Sequence, residues 1–252
     1  MTSYATEERA PEDILGNETM NVVVLDGIPI LEQLQLEEAL LRIGEGAWCI
    51  VNKSTLPAVV MGISGKANKW VDIDGAKKRK IPIIRRFSGG GTVVVDEGTI
   101  LVTFIGGTHL LGVEDATPPA IMSWSESLYS QIFDDKRFAE NGSDYVLGDK
   151  KFGGNAHYIR RGRWLHHTSF LWNYDPDRMN LLRHPPRSPD YRRGRGHEDF
   201  LCTMKDVFPD KEAFLKKLLG LLGRRYAIQD MSWGDAEGVM SLPHRKATEV
   251  VG

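Results

Sequence analysis

Two short stretches of this 252-residue chain combine residue types that can do chemistry together. The first is Arg85-Arg86-Phe87-Ser88-Gly89-Gly90-Gly91-Thr92, set between the apolar run Ile81-Pro82-Ile83-Ile84 and Val93-Val94-Val95. The pattern reads as strand, glycine turn, strand. Glycine loses the most conformational freedom on folding, so three in a row need a local reason. One reason is close approach of a ligand to bare backbone, with N–H groups facing phosphate or carboxylate oxygens and arginine adding charge-assisted hydrogen bonds. A flexible hairpin loop with solvated arginines accounts for the glycines alone equally well. No Gly-Lys-Ser/Thr follows, so this is not a P-loop, and the spacing is not that of a dinucleotide fingerprint.

The second stretch is Gly148-Asp149-Lys150-Lys151-Phe152-Gly153-Gly154-Asn155-Ala156-His157, followed by Arg163-Trp164-Leu165-His166-His167-Thr168-Ser169. Taken in order, Arg-Arg-x-Ser-Gly-Gly-Gly, then Lys-x-x-Gly-x-Ala and His-His, the chain resembles the lipoate-protein ligase A branch of the biotin/lipoate ligase and acyltransferase superfamily from near residue 20 to its end. The resemblance implies a large catalytic domain that activates lipoate with Mg-ATP to lipoyl-adenylate and passes the lipoyl group to a lysine of a lipoyl domain. Lys151 falls on the family's active-site lysine, which touches the acyl carboxylate and the α-phosphate. A fixed ammonium there offsets charge that builds up as carboxylate attacks phosphorus. By the same register Arg86, Ser88, Gly89, Gly90, Gly91, Gly154, Asn155, Ala156 and His167 are expected to hold substrate and nucleotide, and Asp144 nucleotide and Mg2+. Strand alternation sends Lys150 away from Lys151 and sets His166 opposite His167, so only one of the histidines faces the site.

Three positions depart from the family's pattern. Ile63 follows Gly62 where an arginine is usual, Val95 stands at a histidine position, and Ser143 replaces the amide of an Asn-Asp pair. A non-enzymatic ligand-binding or regulatory relative is therefore one alternative. A second is ATP-independent octanoyl or lipoyl transfer through a cysteine thioester, for which Cys202 is the candidate nucleophile and Cys49, in an apolar strand, reads as core.

The elements that must position these residues follow from periodicity. Asn21–Leu25, Trp48–Val51, Ala58–Met61, Thr92–Val95 and Ile100–Phe104 read as strands, the last two as a hairpin around Asp96-Glu97-Gly98-Thr99. Another hairpin is read at 141–151. Ile30–Ile43, with its Glu37-Glu38 pair, has roughly helical spacing, as have Ile121, Trp124, Leu128, Ile132 and Phe214, Leu215, Leu218, Leu222. Residues 64–70 read as a connector, 72–80 as an exposed charged stretch, and 183–195 as a long basic loop in which Tyr191–His197 either folds over the adenylate or is solvated. The expected fold class is α+β, a mainly antiparallel sheet with flanking helices. Residues 1–19 are expected to be a flexible tail and 20–252 a catalytic domain without a C-terminal accessory domain, hence a self-sufficient short form, a ligase with a separate accessory subunit, or a transferase.

Composition sets outer limits. The apolar share of 41% and charged share of 26% suit a globular protein, and a net charge of −2 gives no reason to expect nucleic acid or an anionic membrane as partner. Two cysteines make neither a disulfide framework nor a metal site. With no secretory pattern in the acidic first residues, a cytoplasmic location is expected. Lipoyl domains of 2-oxoacid dehydrogenase complexes or the glycine cleavage H protein are the acceptors that the resemblance implies.

Overall fold

The computed structural model describes residues 18–113, 115–183 and 189–251. The predicted tail lies outside them except for its last two residues. In chain order the elements are β1 (Thr19–Leu25), α1 (Ile30–Ile43), β2 (Ala47–Asn52), β3 (Ala58–Met61), α2 (Ala67–Trp70), α3 (Ile73–Lys78), β4 (Ile83–Arg85), β5 (Thr92–Val95), β6 (Thr99–Gly107), α4 (Pro118–Phe133), β7 (Phe138–Asn141), β8 (Asp144–Leu147), β9 (Lys150–Arg160), β10 (Arg163–Leu171), α5 (Pro176–Met179), α6 (His197–Phe200), α7 (Lys211–Arg225), β11 (Ala227–Met231), α8 (Trp233–Glu237) and β12 (Glu249–Val250). The fold class is α+β, as the sequence predicts.

An eight-stranded sheet runs β11-β1-β2-β6-β10-β9-β8-β7 and a four-stranded sheet runs β12-β4-β3-β5. Neighbours are mainly antiparallel, but β11 and β2 flank β1 in parallel and β3 pairs β4 in parallel, so both sheets are mixed. Helices α4 and α7 cover one face of the large sheet through Ile121, Leu128, Ile132, Phe214 and Leu218, which join one core with Cys49, Phe104 and Phe170. On the other face Leu36, Leu40 and Leu41 of α1 pack with Ile50, Ile105 and Leu165. The apolar stripes of all three helices are thus core, as their spacing predicts.

Thr117 caps α4 by accepting from the Ala120 N–H, the two prolines at its start need no helical donor, and Asp134 ends it in the left-handed region. Asp210 caps α7 in the same way.

Three local readings are corrected. Strands β5 and β6 do not form a hairpin: β5 pairs β3 in the small sheet and β6 pairs β2 and β10 in the large one. The Asp96–Gly98 turn therefore crosses between sheets, a long-range choice that alternating residues around a turn do not reveal. Residues 64–70 are not a plain connector, since they contain α2, and residues 72–80, largely exposed as read, form α3, capped by Asp72 on the Gly75 N–H. The basic segment is not all loop: residues 190–192 make a helical turn that leads to α6.

Candidate active site

The glycine loop joins β4 to β5 around the end of β3, and the local bonding explains its sequence. Arg86 N–H donates to the Met61 carbonyl and Ile63 N–H to the Ser88 carbonyl, both at 2.9 Å, so the loop lies on Gly62. A Cβ at Gly62 would collide with the Gly90 carbonyl oxygen. Gly90 itself has φ +101°, a conformation closed to most L residues.

Arg86 is the brace of this loop. Its Nε donates to Ser88 Oγ and the Gly89 carbonyl, each at 3.1 Å, and its Nη2 to the carbonyls of Gly89 and Gly91 at 2.7 and 3.1 Å. Burial lowers its pKa to about 10, partly offset by the nearby Glu37 carboxylate. Ser88 departs from its expected ligand-contacting place: its side chain is buried beneath the loop, occupied with Arg86, and does not line the cavity.

Strand β9 faces the loop. The Gly90 Cβ position is 3.8 Å from the Ala156 Cβ and 3.7 Å from the Asn155 carbonyl oxygen, which puts the loop in van der Waals reach of the lysine strand. Strict alternation would send Lys151 to the face of Gly153, away from Gly154 and Ala156. A bulge prevents this, because Tyr145 pairs Gly153 while the next residue, Val146, pairs Lys151. Phe152 and Gly153 both point into the core, and Lys151 is re-aimed to the cavity side above Gly154. A Cβ on Gly154 would stand 3.2 Å from Lys151 Nζ, so the missing side chain leaves room for the ammonium.

Lys151 Nζ pairs with Asp144 Oδ1 at 2.7 Å, and Asp144 Oδ2 accepts the Tyr191 hydroxyl at 2.7 Å. Asn155 is another brace: its Nδ2 donates to the Ser143 carbonyl and its Oδ1 accepts from Thr168. His167, on the cavity side of β10, places Nδ1 3.0 Å from Glu37 Oε1. The same oxygen accepts from Gln33 and Thr103 at 2.8 and 2.7 Å. Glu37 is fully buried, and Glu38 is tied to Arg42 and to the N–H groups of Ala247 and Thr248. The pair is thus no ordinary solvated helix face.

Together these elements enclose a cavity of about 580 Å³ lined by Arg86, Gly89, Gly90, Gly91, Asp144, Lys151, Gly154, Asn155, Ala156 and His167. Every expected site residue except Ser88 is there. Ile30, Val60, Val93 and Val95 give it an apolar wall, and Thr92, Ser143, Ser169, Arg192 and Phe200 also line it. Of these five, sequence reasoning left Thr92, Ser169 and Phe200 unassigned, noted Ser143 only as a departure from the family's pattern, and left Arg192 in a segment with two open readings. Arg192 and Phe200 belong to the basic segment, whose place over β8 and β9 is fixed by Tyr191 on Asp144, Arg195 on Asp149 at 2.8 Å and the Cys202 N–H on the Lys151 carbonyl at 2.9 Å. Of the two readings for that segment, folding over the site is the one observed.

His157 of β9, which also lines the cavity, and His166 of β10 stack with centroids 4.8 Å apart, and His157 Nε2 and His166 Nδ1 lack partners. Burial holds His157 down to about 4 and His166 well below the ordinary histidine value. Since the unfolded chain takes up these protons near pH 6.5, stability is fully present above that value and is lost as pH falls towards about 4. Thermal unfolding from pH 7 to pH 4.5 should show a steep fall in Tm, shallower in His157→Asn; equal slopes would remove the imidazole from the account.

The geometry defines a class before any comparison: a bare backbone loop and an ammonium across one pocket, with an apolar wall, suit an acyl group joined to a phosphate. A family model described as the lipoyl protein ligase A/B catalytic domain matches residues 29–218, and the chain belongs to that family. It is 28% identical over 273 residues to the inactive lipoate–protein ligase 2 of Plasmodium falciparum, covering 82% of this chain and 71% of that one. It is 31% identical over 152 residues to a putative lipoate-protein ligase A of Aeropyrum pernix, covering 59% of this chain and 56% of that relative's length. Among solved structures, a lipoate-protein ligase A bound with ATP superposes with TM-score 0.72 at 18% identity, covering 88% of this chain and 92% of the other. A putative lipoate protein ligase from T. acidophilum with bound lipoic acid gives 0.68, with the same identity and coverage. At these identities the structural likeness is one of fold. No helix among the described residues is long and apolar enough to cross a membrane.

Proposed function

We propose that this chain is an ATP-dependent lipoate ligase, forming lipoyl-adenylate and passing the lipoyl group to a lysine of a lipoyl domain. The observation that carries the reading is Lys151 facing the glycine backbone across one cavity with an apolar wall. Family membership and fold neighbours described with bound ATP and with lipoic acid support it, as does a neighbour described as a bi-partite ligase with its E2 lipoyl domain. The glycine cleavage H protein is a further acceptor of the same kind, and an accessory subunit fits the same proposal.

In the proposed reaction the apolar wall takes the acyl chain and Lys151 stands beside the carboxylate and the α-phosphate. A carboxylate oxygen bonds to phosphorus, the bridge to the β-phosphate breaks, and pyrophosphate leaves with the electron pair. The ammonium, fixed by Asp144 and the bulge, meets the growing negative charge without reorganising. The described residues hold no ready-made cluster of metal ligands. Asp144 is the one carboxylate lining the cavity among them, which is enough for a magnesium ion that keeps most of its ligands from phosphate and water. Such an ion would supply charge neutralisation.

The cysteine alternative has little support. The Cys202 thiol donates to the Lys150 carbonyl, does not line the cavity, and is pushed up by burial to about 11. Cys49 is fully buried. Purified chain with lipoate, Mg-ATP and a lipoyl domain should release pyrophosphate only when lipoate is present and add one lipoyl mass to the domain. Cys202→Ser should keep the rate within about twofold. An acyl group trapped on Cys202 without ATP would reverse the choice. A non-catalytic binder is the second reading, favoured by Ile63 beside the loop and by the relative described as inactive. Tight lipoate or ATP binding with no pyrophosphate release would establish it.

A further inference from the structure

Residues 247–251 cross from the core beside α1 to the rim of the four-stranded sheet. Ala247 packs against the cluster that holds Phe87, Leu36 and Leu40, and Val251 against the one that holds Val59 and Ile83. Between them Glu249 and Val250 form β12, antiparallel to Arg85 and Ile84 of β4, and the Val251 N–H donates to the Ile83 carbonyl at 2.8 Å. Strand β4 therefore lies between β3 and this strap, and it runs straight into the glycine loop. The bonds that join the loop to Met61 and Ile63 secure its β3 side, and the strap flanks the other.

The strap is held by a buried carboxylate far away in the chain. Glu38 of α1 is 1% exposed, and its two oxygens accept the Ala247 N–H at 3.1 and 3.0 Å and the Thr248 N–H at 3.0 Å. From the other side Arg42 donates to Glu38 Oε1 through Nε and Nη2, each at 2.8 Å. The Arg42 guanidinium carbon in turn stands 5.9 Å from the centroid of the Phe87 ring, within cation–π reach. Phe87 is fully buried and sits in the chain between Arg86 and Ser88, the pair that braces the loop from within. Strap, Glu38, Arg42 and Phe87 thus form one connected series that ends at the brace. The exposed ion pair of Arg85 with Glu249, at 2.7 Å, contributes little by itself. Removing the Glu38 charge is costlier, since it leaves two main-chain donors and a guanidinium short of their acceptor.

We propose that Glu38 is a positioning residue for the glycine loop: by locking residues 247–248 it keeps β12 on β4 and Phe87 in its seat, so that Arg86 and the three glycines hold one conformation. The consequence for binding rests on the ligase reading, in which that loop receives ATP. The two adjacent acids of α1 then have separate tasks. Glu37 serves the cavity through His167, whereas Glu38 touches no ligand and acts on the loop from behind.

The test is hydrogen exchange of the full chain together with calorimetry of ATP and of lipoate, wild type against Glu38→Gln and Val251→Pro. The second variant removes only the strap's donor to the Ile83 carbonyl, so it reports on the strap even if the buried substitution folds poorly. In both, the Arg86 and Ile63 amides, which bond the loop to β3, should exchange about tenfold faster. ATP should bind about three- to tenfold more weakly, with lipoate changed less than about twofold. Unchanged exchange in Val251→Pro and in folded Glu38→Gln would overturn the proposal. So would faster exchange with ATP affinity intact, or an equal loss for lipoate, either of which makes Glu38 a residue of general stability. If the wild type binds lipoate but no ATP, the ligase reading falls and the exchange rates alone decide whether the strap holds the loop.

Discussion

Replacing Lys151 by alanine should lower lipoate-dependent pyrophosphate release about 10²- to 10³-fold, the loss found when one preorganised charge-stabilising donor is removed, roughly 3–4 kcal/mol of barrier. Two features make this residue more than a surface cation. Its 2.7 Å contact with Asp144 fixes the ammonium before any ligand arrives, and the bulge at Phe152-Gly153 aims it across the cavity at the glycine loop. A lysine free to wave in solvent would supply charge but little positioning. The variant should fold, because only a cavity-lining side chain and one partly exposed ion pair are lost. Arginine at 151 should not restore the rate, as its wider fork does not fit the space that Gly154 leaves. Turnover within threefold of wild type in folded Lys151→Ala would remove the residue from the chemistry.

The second large effect separates two reasons for glycine. At Gly62 the obstacle is the protein itself: a methyl group would strike the Gly90 carbonyl oxygen and stand 3.1 Å from the Gly89 carbonyl carbon, both main-chain atoms that cannot swing aside. Gly62→Ala should therefore displace the loop, lower Tm by several degrees, corresponding to about 1–3 kcal/mol, and raise the KM for ATP at least tenfold. At Gly89 nothing lies within 4 Å of the added carbon, and its φ is not in the left-handed region. Gly89→Ala should melt with the wild type and still lose at least tenfold in ATP affinity, because the only body left to collide with is the nucleotide. If Gly89→Ala binds ATP as the wild type does, no phosphate lies on that part of the main chain.

Much of this arrangement was legible in the sequence because short-range signals set it. The glycine run, the Lys-x-x-Gly-x-Ala run and the paired histidines mark one pocket through the family they resemble, and the apolar stripes of α1, α4 and α7 gave the packing faces. What was hidden depends on partners far along the chain. Ser88 and Asn155 look like ligand contacts from their types, yet they hydrogen-bond to Arg86, Thr168 and the Ser143 carbonyl. Strands β5 and β6 look like a hairpin until their separate sheets are known. Arg192 reaches the pocket because Asp144, Asp149 and Lys151 anchor its segment. Alternation alone would have turned Lys151 away, and no local residue preference announces the extra residue that corrects it.

The glycine loop belongs to the four-stranded sheet and Lys151 to the eight-stranded one, and apolar contacts join the two: Leu171 of β10 shares a core with Val59 and Val94, and Leu101 of β6 with Val60 and Val95. A molecule gripped by both works as mortar between two slabs. By mass action, ligand at a hundred times its dissociation constant adds about 2.7 kcal/mol to the folded form. The seam between the slabs is where hydrogen exchange should slow most on saturation.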